Sequence, residues 1–172
     1  IEARLKLVRS LTESGDLERA RFYIDEAMEH RTSIMVLQLA SMVYGRLGDH
    51  DAAFSFAEQG VDQEPDNPQA VELLLTAMVR QGQYAEAETI AIDFLDSHPD
   101  SDSIAGFIGI VLAEQGRYEE AQLLLRQGMK STFPRRKMRQ HMAVIANTAG
   151  EPLDAIALLR EELVDYADND TA

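Results

Sequence analysis

Apolar residues recur along this chain at the spacing of a helix. Leu37, Ala40, Ser41 and Tyr44 form one stripe, and Val71, Leu74, Leu75 and Met78 repeat it. Ala105, Ile108, Gly109 and Leu112 do so again, and Arg139, Met142, Ala143 and Ala146 form a more polar version. The offsets of three, four and seven put each set on one face of a 3.6-residue helix. A second stripe follows each first one, as in Tyr118, Ala121, Leu125 and Gly128. Between the two stripes stands a glycine, at Gly15, Gly48, Gly82, Gly116 and Gly150. Glycine reaches the left-handed conformation that ends a helix. Acidic residues after it, such as Asp49 and Glu119, suit the positive end of the next helix. An alanine follows five places on, at Ala20, Ala53, Ala87, Ala121 and Ala155, small enough for two antiparallel helices to touch. Pro152 falls near the first turn of a helix, where a missing N–H costs little. The pattern predicts an all-α chain of about ten antiparallel helices, a helix A and a helix B in each pair.

The glycines are spaced by 33, 34, 34 and 34 residues, and a period held this way marks a repeat architecture. The expected organisation is a single array over 1–169, with repeats 1–33, 34–67, 68–101, 102–135 and 136–169 and an acidic tail at 170–172. The junctions Glu64-Pro65-Asp66-Asn67-Pro68, Ser97-His98-Pro99-Asp100-Ser101 and Ser131-Thr132-Phe133-Pro134 carry helix stops and caps. Ser33 is the expected cap at the first junction. The chain begins at Ile1, already inside a repeat, and neither end shows a polar capping helix, which reads as a fragment of a longer array.

These phrases resemble the tetratricopeptide repeat, a 34-residue helix–turn–helix with characteristic small residues around its turn. Gly15, Ala20 and Ala27 match in the first repeat, and Tyr44, Gly48, Ala53, Gly60 and Pro65 in the second. Gly82, Tyr84, Ala87 and Pro99 match in the third, then Ile108-Gly109, Gly116, Tyr118, Ala121 and Gly128, then Gly150 and Ala155. The family's tryptophan is absent, and Glu162 stands where a small residue is usual. The resemblance implies a right-handed α-α superhelix, a solenoid whose A helices line a concave groove. It further implies ligand contacts at Leu5, Arg9, Gln38, Met42, Arg46, Thr76, Arg80, Gly106, Ile110, Lys137, Gln140 and Val144. Met35 and Glu72 belong to the same set of positions. Some relatives clamp a chaperone's terminal carboxylate with Lys and Asn. Leu5, Arg9 and Leu39 stand at those places here, so that role is not expected.

Charge sharpens the expectation about partners. The formal net charge is −14, which disfavours non-specific nucleic-acid binding. The A segments, with Arg135 counted in the last, nonetheless carry nine cations and five anions, a net of +4, leaving −18 for everything else. An apolar groove floor with scattered arginines suits a protein or peptide segment carrying apolar and acidic residues. The basic run Arg135-Arg136-Lys137-Met138-Arg139 is either a solvated helix start or a contact for an acidic partner. There is no cysteine, hence no disulfide, thiolate metal site or Cys nucleophile. The longest apolar run, Ile104 to Ala113, is too short to span a bilayer, so no direct membrane insertion is expected of this fragment. No signal peptide is visible, and both cytoplasm and bacterial periplasm stay open.

Candidate chemistry is thin. His30, His50, His98 and His141 show no metal-ligand spacing, and only His141 lies near the groove. Asp100-Ser101-Asp102 opens like a calcium loop, but Ala105 and Val111 stand where Gly and Glu are required. Glu119-Glu120 and Glu161-Glu162 are adjacent, so they point about 100° apart on a helix and form a solvated face. No nucleophile triad, phosphate loop or dinucleotide fingerprint is present. The expectation is a non-enzymatic interaction scaffold without cofactor or metal. A segment of a bacterial envelope export system (exopolysaccharide secretion or pilus assembly) and an acidic secretion chaperone are the alternatives, and self-association through uncapped ends is a further expectation.

Overall fold

A computed structural model of the protein describes residues 2–30, 32–130, 135–151 and 153–160, without the side chains of 2, 30 and 135–137. Pro152, the junction at 131–134, and the 161–172 stretch that holds Glu162 and the tail lie outside the described residues. Among the described residues there is helix and turn but no strand. The helices are α1 (Glu2–Ser14), α2 (Leu17–His30), α3 (Ile34–Leu47), α4 (His50–Gln63), α5 (Pro68–Arg80), α6 (Tyr84–Ser97), α7 (Asp102–Glu114), α8 (Tyr118–Gly128) and α9 (Arg135–Thr148). Residues 153–160 are helical as well.

The chain divides into two compact units, Ile1–Ile90 and Ala91–Ala172, with the division inside α6. In the first unit α1 packs on α2 and α3, α2 on α3, α3 on α4 and α5, and α4 on α5. In the second, α7, α8 and α9 pack on one another. The full pattern is seen at α3, which touches its own partner, the preceding partner and both neighbouring odd helices.

Local chemistry sets these boundaries. All five turn glycines have φ between 78° and 86°, the left-handed value an L side chain resists. Asp49 Oδ1 accepts from the Ala52 N–H at 3.0 Å and caps α4. Asn67 Oδ1 accepts from the Gln69 N–H at 2.9 Å, with Pro68 opening α5. Ser33 occupies the cap position of α3 with the extended backbone usual there, but makes no side-chain cap bond.

The sequence stripes are the buried ones. Leu37, Ala40, Val71, Leu75, Ala105, Ile108, Leu112, Ala143 and Ala146 are all core residues, as are the turn-following alanines Ala20, Ala53, Ala87, Ala121 and Ala155. Tyr44 stays part-buried, and its hydroxyl donates to Asp25 Oδ1 at 2.8 Å, tying α3 to α2. Met138 is fully buried and Arg139 is 8% exposed, so the end of the basic run belongs to the core and is not solvated. In the second unit the contact of α7 with α8 depends on glycine. A Cβ on Gly109 would stand 2.9 Å from the Leu125 backbone nitrogen, and one on Gly106 would stand 3.0 Å from the Gly128 Cα.

Two glycine substitutions separate backbone conformation from packing. Gly116→Ala should cost about 1–2 kcal/mol from its left-handed φ alone, since nothing lies within 4 Å of a Cβ there. Gly109→Val should cost about 3 kcal/mol or more by forcing α8 away. Urea titration followed by circular dichroism orders the two. Equal midpoints for Gly109→Val and the parent would contradict the close crossing.

Candidate functional site

In the first unit the expected ligand positions fall on α1, α3 and α5, the helices that stack side by side. Leu5 and Arg9 lie one turn apart on α1, facing Met35 and Leu39 of α3. Together with Lys6 they line a pocket of about 260 Å³. Leu5 is buried at 6% exposure and Leu39 at 4%, so they form floor, while Met35 at 49% forms rim. Lys6 and Arg9, both exposed, put two cations beside this apolar floor. The space falls below the range of drug-sized sites, roughly 300–1,000 Å³, and matches a single side chain. Sequence reasoning named Leu5, Arg9 and Met35 but not Lys6. Its place three residues before Arg9, on the same face of α1, was the signal that could have found it.

Two predicted groove arginines, both exposed, lie against a neighbouring helix. The Arg46 guanidinium donates from Nη1 to the Thr12 carbonyl oxygen near the end of α1. Thr12 is fully buried and donates from Oγ1 to the Val8 carbonyl at 2.7 Å. Arg80 lies against Gly45, where its Nη1 takes the space a Cβ would need. Each arginine thus reaches one repeat back, where a cation suits the negative end of a helix. Met42 is half-buried against the core of the first unit, and Gln38 and Thr76 are half-buried as well.

Glu72 shares the expected face of α5 and is the most perturbed carboxyl of this set. Burial pushes it from the ordinary 4.5 up to about 7, with no other cause contributing. A half-buried carboxylate in this state is only partly ionised at neutral pH.

In the second unit the structure corrects two positions. Gly106 is buried between Met138 and Gly128, and it serves as a spacer between helices. Ile110 is 8% exposed and belongs to the core of α7. Neither offers surface to a ligand. Val144 is 48% exposed and Gln140 half-buried. His141 Nε2 lies 3.8 Å from Glu114 Oε1, linking α9 to α7. The Lys137 side chain lies outside the described residues.

Tetratricopeptide-repeat family models match residues 46–106 and 109–127. Together with five left-handed turn glycines in period, these matches decide the family. The chain is a tetratricopeptide repeat protein. Among solved structures it is similar to a thermophilic tetratricopeptide protein of Thermus thermophilus, with a TM-score of 0.78 at 18% identity, covering 94% of this chain and 89% of that one. It is similar to MamA from Desulfovibrio magneticus RS-1, with a TM-score of 0.61 at 16% identity and 97% coverage of both chains. It also overlays a chain of the APC/C hetero-tetramer Cut9–Hcn1, with a TM-score of 0.74 at 14% identity, covering 95% of this chain and 32% of that one. No curated protein matches the sequence. At these identities the likeness establishes the fold, an all-α tetratricopeptide solenoid. Tetratricopeptide proteins are in general non-catalytic scaffolds for protein–protein interaction. Among the described residues no helix is long and apolar enough to cross a membrane.

The two unusual side chains of this tetratricopeptide unit make separate predictions. Arg46→Ala should lower the stability of the first unit by about 1 kcal/mol through loss of its helix-end contact. Arg9→Ala should leave it within about 0.5 kcal/mol. Equal destabilisation in urea would contradict the assignment. For Glu72 the folded form holds its proton more tightly than the unfolded chain. The protein therefore loses stability as pH rises from about 4.5 through about 7. Glu72→Gln should be more stable than the parent by about 1–3 kcal/mol at pH 8 and should match it at pH 4. A difference independent of pH would refute the burial shift.

Proposed function

We propose that this protein is a binding scaffold whose first two helix pairs hold a partner segment by one apolar side chain and a neighbouring carboxylate. The observation that carries this reading is the pocket between α1 and α3. Its floor is Leu5 and Leu39, its adaptable rim is Met35, and Lys6 and Arg9 stand beside it. Desolvating one aliphatic or aromatic side chain there supplies roughly 1.5–3 kcal/mol. The paired cations select an acidic neighbour and speed encounter. Met35 suits such a role because an unbranched thioether adapts to different anchors. Arg46 and Arg80 support the helix stack beneath the site and do not contact the ligand in this reading. Gln38, Met42 and Thr76 extend the same face along α3 and α5. In the second unit, Gln140 and Val144 are the positions that would form the corresponding face.

Selection of random dodecapeptides on the full chain, followed by fluorescence polarisation, tests the reading. Enriched sequences should share an apolar residue flanked by Asp or Glu. Arg9→Glu combined with Met35→Glu, both on exposed side chains, should weaken them at least about tenfold with unchanged circular dichroism. A basic consensus, or affinity unaffected by the double substitution, would overturn the proposal.

A further inference from the structure

In the first unit a side chain from one turn bonds back to the turn before it; at the corresponding place in the second unit the described residues line a cavity. Gln81, the residue before a turn glycine, reaches back to the preceding turn. Its Nε2 donates to the His50 carbonyl oxygen at 3.4 Å and to Asp51 Oδ1 at 3.2 Å. Two periods later the corresponding residues are Ala149, Tyr118 and Glu119. All three line a cavity of about 630 Å³, whose wall also holds Arg117, Glu120, Ile145 and Glu151. Alanine lacks the arm that glutamine extends, so Ala149 cannot make the bonds that Gln81 makes in the first unit.

The cavity's charges say what would replace that arm. Among the described residues of its wall the cation is Arg117, and it binds Glu120 through Nε–Oε1 at 2.8 Å and Nη2–Oε2 at 2.6 Å. These hydrogen bonds hold the Glu120 carboxyl below its ordinary value, so this pair is neutral overall. Glu119 and Glu151 remain as net negative charge, beside the carbonyl end of α9. Tyr118, Ile145 and Ala149 supply apolar wall along which an aliphatic stem can lie.

We propose that this cavity, between the α7–α8 turn and the end of α9, is a second docking site that takes an arginine side chain from a basic partner segment. The guanidinium N–H groups would occupy the place that the Gln81 amide holds in the first unit, donating to the Tyr118 carbonyl and the Glu119 carboxylate. The site is opposite in charge to the Leu5 pocket and does not depend on it.

The test is NMR titration of the full, isotope-labelled chain with the capped pentapeptide Gly-Gly-Arg-Gly-Gly, and with its citrulline and glutamate counterparts. The arginine peptide should shift the Gly116, Glu119, Ala149 and Glu151 amides saturably at millimolar concentration. Citrulline should bind more weakly and glutamate not at all. Ala149→Gln, which restores the chain's own arm, should reduce affinity at least about threefold while leaving the fold intact, and Glu119→Gln should do the same. Absence of saturable shifts at these amides, saturation confined to other residues, or affinity unchanged in Ala149→Gln would each overturn the proposal.

Discussion

A pair of short antiparallel helices buries only one side of each helix, and the exposed remainder must be covered by the next pair. The packing of this chain follows from that incompleteness. Isolated helices of 11 to 14 residues are marginal in water, so they persist because each lies against several others. α7 shows the result most fully. From Ile104 to Ala113 only Phe107 escapes full burial, so this helix is apolar almost all round. Gly109 lets α8 come close enough to share that core, and Gly106 does the same at Gly128. A side chain at either place would separate surfaces whose burial stabilises the unit by roughly 25 cal/mol per Å².

Stacking at a constant period also brings each long side chain within reach of the repeat before it. Arg46 meets Thr12 and Gln81 meets the His50 turn, while Gln127 donates to the Pro99 carbonyl at 2.8 Å. These contacts bring a side-chain donor to backbone carbonyls at helix ends and turns. An arginine on a ligand-facing helix can therefore be a brace. In this protein Arg46 braces α1 through the Thr12 carbonyl and Arg80 lies against Gly45, whereas Arg9 stands at a pocket.

The same geometry explains what the sequence could and could not disclose. Helices, turns and the buried stripes were legible because each repeats the same physical solution, and Gly109 was recognisable as a packing residue. Exposure of the ligand-facing positions was not legible in this way. Ile110 and Val144 occupy the same place in successive repeats, yet one is 8% exposed and the other 48%. The difference is whether another helix lies over the position, and α9 packs on α7. An apolar stripe read from one helix carries no information about its neighbours' coverage. Glu72 illustrates the electrostatic version, since its raised pKa comes from burial supplied by the folded surroundings. Met138 and Arg139 illustrate it for charge runs: a basic stretch reads as surface until packing takes its last two residues inward.

Departures from the period are consequently more informative about binding than adherence to it. A residue that keeps the repeat pattern is explained by stacking, whatever else it does. A residue that breaks the pattern either weakens the stack or leaves a vacancy. Ala149 stands where Gln81 bonds back to the turn before it, and carboxylates line the cavity beside it. Lys6 and Arg9 break it in the other direction, adding cations beside an apolar floor in a chain of net charge −14. Opposite signs at the two places mean that one segment cannot satisfy both equally. Under the two proposals, charge would sort partners between the units before shape does.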